Sequence, residues 1–410
     1  MPSILPHLPK TVLEISRLVR RRRGKTYLVG GAVRDWLLNQ PHTPDWDITV
    51  DLGFKKKRPE IAKGMFELLE EVSQHRKGSF VFHRSFLTGT VTLPDKTKID
   101  ICHTRREIYP KPAALPQVEP APIEEDLARR DFTINAFALE LTNNSALLID
   151  PFQGLRDLNL RLVRILHPES FVDDPTRIFR ALRFAIRLDY RIESGTLYLL
   201  RTAVKERYPS LLTPERILYE LRCILNEPAA LKIIEALLKE NILQSCWQNW
   251  HPERTLLWGS KRLLERGATS EELFCYLLSF LPVTEKFPIT AEERRTVFLL
   301  RNINFLRKQL LRAKHPRTIY HILKPIPVLM LQILIKLEQG VIRRKCSLFY
   351  HQLRDIKPET TAAELIELGI PPGPKLGGVL QRLYEARLDR KATTKEEELQ
   401  LVKRWKIKGS

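Results

Sequence analysis

Cysteine is sparse and scattered in this chain. Cys102, Cys223, Cys246, Cys275 and Cys346 form no C-x-x-C pair, which argues against a disulfide framework, a disulfide-linked partner and a zinc ribbon. Thiols used this way suit a reducing cytoplasm, the compartment we expect. Long apolar runs are missing too: the stretch around Ile326 to Ile335 is about half the length of a membrane span and is interrupted by Gln332. No transmembrane helix and no membrane partner are expected. The basic run Arg20 to Arg23 follows the apolar residues near the N-terminus instead of preceding them, so no signal peptide is expected. Tandem repeats and long low-complexity segments are absent. Negative charge is in deficit, with 48 Asp and Glu against 68 Lys and Arg in 410 residues, a net charge of +20. Such an excess suits a polyanion, nucleic acid first and an acidic membrane surface second. The 43% hydrophobic content is enough for substantial cores in several domains.

The texture changes near Pro151. Before it, short β-rich runs ("TYLVGG", "WDITVDL", "TGTVTL", "KIDICHT", "NSALLID") alternate with helical stretches such as Pro59 to His75, an α/β pattern. After it, apolar residues recur at helical spacing almost to the end, broken at Pro- and Gly-bearing turns. One Pro-rich stretch, Pro110 to Pro122, reads as a long irregular loop, and such loops tend to be functional.

Three clusters in the first half carry chemistry. In "YLVGGAVRDWLL" a strand runs through Gly30 and Gly31 into a helix. Without a Cβ in the way, backbone N–H groups there can approach a phosphate, with Arg34 one turn in; an ordinary strand-to-helix turn has the same pattern. In "PDWDITVDL", Asp45 and Asp47 share one face of a strand while Trp46 and Ile48 face a core. Two like charges this close call for a cation, and hard carboxylate oxygens suit magnesium. Asp100 in "KIDI" is a possible third carboxylate. In "EEDLARRDFTINAFAL", Arg129, Arg130 and Asp131 precede an apolar run read as helical, and guanidinium groups grip phosphate or sugar oxygens.

A fourth cluster, "DDPTRIFRALRFAIRL" from Asp173 to Leu188, sets Arg177, Arg180, Arg183 and Arg187 on about one third of a helix circumference behind Asp174. Cytosine and adenine both present an exocyclic amino donor beside a bare ring nitrogen. A carboxylate accepts from the first and a guanidinium donates to the second; uracil and guanine offer the reverse. Asp174 with Arg177 can therefore select C and A without a nucleic acid template. Asp174 ahead of Pro175 is equally a helix cap.

The motifs "LVGGAVRD", "DWDITVD", "RRDFTINAFAL" and "DDPTRIFRALRFA", in this order, resemble those of the class II tRNA nucleotidyltransferases, the bacterial CCA-adding enzymes and their poly(A) polymerase relatives. "TPERILYELRCIL" and the segment from "LGIPPGPKLGG" to "LQLVKR" extend the resemblance. It implies a nucleotidyltransferase head with a small mixed sheet and helices over residues 1–150. A helical neck with the nucleotide-selecting helix would follow over 151–230, then a helical body over 231–315 and a helical, tRNA-binding tail over 316–410. By the same resemblance Asp45 and Asp47 are catalytic and bind Mg2+, and Gly31, Arg34 and Arg130 contact the nucleotide. Asp174 and Arg177 select the base, with Arg180 and Arg183 in support. The first acid of the last motif is usually Glu, and here it is Asp173. The implied reaction is addition of C, A or both from CTP and ATP to the tRNA 3′ end with release of pyrophosphate. CC-adding members are often shortened between the carboxylates and the arginine pair. The full segment "CHTRREIYPKPAALPQVEPAP" here leans against CC-only addition. Complete CCA addition is the first expectation, A-only addition the second, poly(A) synthesis the third, and a non-catalytic RNA-binding protein the rival from another class.

Overall fold

The computed structural model describes residues 8–40, 46–143, 145–282 and 287–407. The chain forms two compact units, Met1–Asn249 and Trp250–Ser410. The expected head and neck lie within the first, and the division falls inside the segment expected as body.

The first unit opens with α1 (Lys10–Arg21), which ends in the basic run as the dipole favours. Its strands are β1 (Lys25–Val29), β2 (Trp46–Asp51), β3 (Ser79–His83), β4 (Thr88–Thr92), β5 (Lys98–His103), β6 (Arg105–Ile108), β7 (Gln117–Pro120), β8 (Ala138–Leu141) and β9 (Ala146–Ile149), with the two-residue strands β10 (Leu162–Val163) and β11 (Arg191–Ile192) after them. Seven of them form one mixed sheet in the order β3-β4-β5-β2-β1-β8-β9. Within it the β2–β5 pair is parallel and the others are antiparallel. Helix α2 (Gly31–Leu37) leaves the end of β1 and α3 (Arg58–His75) buries Met65, Leu68, Leu69 and Val72. The α/β pattern read from the sequence texture thus holds, and the head is the mixed sheet with helices that the resemblance implied.

Two local expectations are corrected. The apolar run after Asp131 is not a helix: a single 3-10 turn, Thr133–Asn135, leads into β8. Ala138, Leu139 and Leu141 are buried although successive residues point to opposite faces of the sheet, and a strand covered on both faces loses the alternation that would mark it. The Pro-rich stretch is not wholly irregular either. After the short turn region that follows Tyr109, Gln117–Pro120 pairs antiparallel with Arg105–Ile108 as a separate ribbon, with Pro120 at its end as a strand proline should be.

The polypeptide then turns helical: α4 (Ile123–Ala128) before β8, and afterwards α5 (Gly154–Leu160), α6 (Ser170–Asp173), α7 (Thr176–Leu188), α8 (Ser194–Lys205), α9 (Pro214–Leu225), α10 (Ala230–Lys239) and α11 (Ile242–Cys246). Helix α7 buries Ile178, Phe179, Ala181 and Leu182.

The second unit is helical throughout. Thr269 with Glu272, Thr290 with Glu293 and Thr361 with Glu364 form capping boxes at three helix starts. Buried Glu272 also pairs with Lys336 at 2.6 Å. The apolar run near Ile326 falls on the helix Val328–Leu337, where Leu329, Met330, Leu331, Ile333 and Leu334 are buried. No single helix among the described residues is long and apolar enough to cross a membrane. The five cysteines are free thiols.

Candidate active site

A cleft of about 530 Å3 opens in the first unit where α2, the Arg129–Asn135 segment and α7 converge. Its floor begins at Gly30, whose φ of 71° suits only glycine there. A Cβ at this position would stand 3.2 Å from the Arg130 guanidinium and 3.4 Å from Asp47 Oδ2. The glycine thus lets a guanidinium and a carboxylate close on the same point.

Asp47 is exposed on β2 between buried Trp46 and Ile48, the alternation expected of it. Its register partner across the parallel pair is Asp100 on β5, so both carboxylates stand on one face of the sheet. Asp100 Oδ1 accepts from the Thr90 hydroxyl at 2.5 Å. Asp45 lies outside the described residues. Among the described residues no group of three or more His, Cys, Asp or Glu side chains is gathered to hold a metal. Two carboxylates on adjacent strands beside a glycine turn are nevertheless the hard-oxygen donors that a divalent cation takes.

Arg34 does not reach out as a solvated charge. It is buried, donating from Nε and Nη2 to Asp35 Oδ1 at 2.9 and 2.7 Å and from Nη1 to Asn135 Oδ1 at 2.6 Å. Asn135 donates to Asp131 Oδ1 at 3.0 Å, and Asp131 Oδ2 accepts two bonds from Arg180 at 2.9 and 2.6 Å. An unbroken polar chain therefore runs from α2 through the 3-10 turn to α7. Burial by itself would raise the Asp131 carboxyl; Arg180 and the Asn135 amide outweigh it and hold it at about 2. At the far end buried Glu220 is pushed above the usual carboxylate range by burial, which Arg180 and Arg183, each 4.0 Å away, offset only in part.

The arginine pair is anchored in the same way. Asp126, wholly buried on α4, accepts from Arg129 at 3.0 Å and Arg130 at 3.2 Å. Burial would raise it, and the two guanidinium groups together hold it low. Arg129 also bonds Glu107 at 2.9 Å. Arg130 Nε is buried and has no acceptor among the described residues, while its Nη1 is the atom that stands beside Gly30 at the cleft.

On α7 the stripe is real but uneven. Arg177 donates to Ser170 Oγ at 2.7 Å and to the Arg129 carbonyl at 2.6 Å. Arg180 faces Asp131, and Arg187 sits 3.7 Å from Glu227. Gly31, Arg34, Arg130, Asp174, Arg177 and Arg180 all line the cleft, whereas Arg183 is turned away from it onto Glu220 and the Phe184 ring. Asp173 stands apart, pushed up by burial, with His167 4.0 Å away. Asp174 Oδ1 accepts from the Thr176 N–H at 2.9 Å and hydroxyl at 2.5 Å, and from Arg216 at 2.6 Å. Among the described residues no side-chain bond falls on Oδ2.

Comparison with known proteins now fits this geometry. Residues 26–164 match the family model described as the Poly A polymerase head domain. An A-adding tRNA nucleotidyltransferase of Halalkalibacterium halodurans is 31% identical over 88% of this chain and 84% of its own length. The chain belongs to the tRNA nucleotidyltransferase family. A Geobacter sulfurreducens relative, also an A-adding tRNA nucleotidyltransferase, is 31% identical over 97% of the chain but 47% of its own length, so the chain spans about half of that relative. The Thermotoga maritima CCA-adding enzyme complexed with tRNA-CCA has a TM-score of 0.72 at 26% identity, covering 97% of this chain and 96% of that one.

For a tRNA nucleotidyltransferase, the sequence motifs left several cleft residues without a role. Glu107 and Tyr109 come from the end of β6, Asp131 and Asn135 from the turn after the arginine pair, Phe184 and Arg187 from α7. All six lie inside quoted segments, and Asn135 had a usable signal: a polar residue within an apolar run marks a buried partner. Glu107 and Tyr109 had none.

Proposed function

We propose that this chain adds nucleotides to the 3′ end of tRNA without a template, using CTP, ATP or both and releasing pyrophosphate. The supporting observation is the cleft itself, which sets the Arg130 guanidinium beside a glycine turn and Asp47 on one side and Asp174 with Arg177 on the other. A nucleoside triphosphate fits with its phosphates towards Arg130 and its base towards α7. The tRNA 3′ oxygen forms a bond to the α-phosphorus, the bond from that phosphorus to the pyrophosphate oxygen breaks, and the hydroxyl proton is lost to solvent or a carboxylate. Asp45 and Asp47 would hold magnesium, which supplies positive charge against the reacting oxygens. Arg130 stabilises the phosphates, and Arg34, through Asn135 and Asp131, fixes the wall on which Arg180 stands. Asp174 Oδ2 accepts from the amino group of cytosine or adenine while Arg177 donates to the ring nitrogen. Residues 1–150 serve as head and 151–230 as neck; the body (231–315) and tail (316–410) segments, rich in basic residues, serve the RNA.

A second reading, A-only addition, is favoured by the A-adding relatives from Geobacter and Halalkalibacterium, whose matches run along most of this chain. One experiment separates the two. Purified protein receives tRNA transcripts ending before CCA, after C and after CC, with CTP or ATP singly and Mg2+. Extension of every transcript means CCA synthesis, extension of the last alone means A addition, and extension of none refutes the enzyme reading. Asp47→Ala should abolish extension and leave tRNA binding intact.

A further inference from the structure

The cleft holds edge readers for a base but the motifs supply nothing for its face. Two aromatic side chains line it, Tyr109 and Phe184. Phe184 is taken: the guanidinium groups of Arg34, Arg180 and Arg183 lie 5.3, 5.5 and 5.3 Å from its ring centre, Phe132 packs edge-on at 5.9 Å, and it is 7% exposed. Tyr109 is half-buried, and its side chain is held at the hydroxyl. Its hydroxyl donates to Glu107 Oε2 at 2.9 Å, and Glu107 is clamped by Arg129 at 2.9 Å and Arg105 at 3.3 Å. Four residues on, Ala113 has its N–H on the Val172 carbonyl at 3.3 Å, and its own carbonyl accepts from Arg216 at 2.7 Å. Arg216 is the same guanidinium that holds Asp174. Tyr109, Asp174 and Arg177 line the same cleft.

We propose that the Tyr109 ring is the surface on which the base of the incoming nucleotide stacks while Asp174 and Arg177 read its edge. The proposal rests on the nucleotide-binding reading of the cleft and adds the residue that holds the base in plane. Stacking accepts any base, so Tyr109 strengthens CTP and ATP alike and leaves the choice to the edge pair. Because the hydroxyl is already tied to Glu107 before the nucleotide arrives, less rotamer freedom is lost on binding.

The test measures equilibrium binding of ATP and of inorganic tripolyphosphate to the full chain, since the second ligand has phosphates and no base. Tyr109→Ala should weaken ATP about tenfold or more and leave tripolyphosphate within about twofold, a margin that also reports an intact fold. Tyr109→Phe should keep both, and Tyr109→Leu, which retains apolar bulk without a ring, should follow the alanine variant. ATP binding unchanged in Tyr109→Ala, or both ligands weakened alike, overturns the proposal, as does a Leu variant that binds ATP like wild type. Wild-type protein that binds tripolyphosphate no more weakly than ATP also overturns it, with the phosphate cradle standing. Wild-type protein that binds neither ligand sinks the nucleotide-site reading itself and this proposal with it.

Discussion

Replacing Asp131 by asparagine isolates the charge at the middle of the polar chain that joins α2 to α7. The wild-type carboxylate takes two bonds from Arg180 on Oδ2 and bonds from the Phe132 N–H and the Asn135 amide on Oδ1, between 2.6 and 3.0 Å. Its carboxyl is lowered from the ordinary 3.8 to about 2, which corresponds to about 2 kcal/mol of stability while the group is charged. The Asp131 side chain is 8% exposed and that of Arg180 32%, so solvent screens the pair only moderately. Asparagine keeps the shape and an acceptor but not the charge. The variant should therefore be less stable by about 2 kcal/mol near neutral pH, about 4–8 °C in melting temperature for a unit of this size. Because the folded carboxyl is depressed below the unfolded one, this contribution is complete above the unfolded value of about 3.9 and is lost as pH falls through about 2. Urea unfolding of both proteins from about pH 7 down to the lowest pH at which both still fold should then show the gap closing as the acid range is entered. A gap of the same size at every pH refutes the electrostatic account and leaves shape as the cause; no gap near neutrality refutes the coupling altogether.

Arg216→Ala should cost discrimination more than stability, because Asp174 keeps its Thr176 bonds while losing the guanidinium at 2.6 Å. Preference for CTP and ATP over UTP and GTP, measured as relative kcat/KM, should fall about tenfold, the loss of one charge-assisted hydrogen bond. Gly154→Ala should destabilise the first unit by about 1–3 kcal/mol, since a Cβ there would stand 2.3 Å from the Thr133 carbonyl oxygen and 2.7 Å from the Phe137 ring; an unchanged melting temperature would contradict that packing. His103 is wholly buried, with Nε2 accepting from the Leu52 N–H at 3.1 Å and Nδ1 bonded to the Thr104 carbonyl at 2.7 Å. Burial first of all holds its pKa below the ordinary 6.5, so stability falls as pH drops below that value, where the unfolded chain binds a proton the folded one refuses. His103→Gln should flatten that decline by up to about 1.4 kcal/mol per pH unit, read from urea midpoints at each pH.

Legibility in the sequence followed locality. Strands β4 and β5 and helix α3 carried their periodicity on their surface, and so did the stripe on α7, because one face of each meets a core and the other does not. β1, β2 and β9 were legible from their β-rich composition between turns instead. β8 offered neither signal: it is buried on both faces, and there an apolar run no longer distinguishes strand from helix. Gly31, Arg34, Arg130, Asp174 and Arg177 could be named because each belongs to a short motif whose residues share one turn. What those residues lean on could not: Asp126 under the arginine pair, Asn135 between Arg34 and Asp131, Glu107 behind Arg129. The Arg34–Asn135 contact spans 101 residues and the Arg180–Asp131 contact 49, separations at which composition and spacing say nothing about proximity. Arg183 shows the opposite failure. Helical periodicity put it on the stripe, and it is on the stripe, but the acceptor opposite it is Glu220 and not the cleft.

The two roles open for Asp174 in the sequence, cap and base reader, turn out not to compete for the same atom. Thr176 and Arg216 all bond to Oδ1, which starts α7 and fixes the carboxylate plane at once. Arg216 adds positive charge to that oxygen and, through the Ala113 carbonyl, ties it to the arm that carries Tyr109. An aspartate held only by solvent would rotate about its side-chain torsion and lose orientation on each binding event. Held by three donors on one oxygen, its other oxygen points in one direction at no further entropic cost when a base arrives. If Asp174 reads the base as proposed, these bonds at the start of α7 are the means by which it is aimed, and a longer or freer acid at this position would be held less firmly and read less selectively for the same reason.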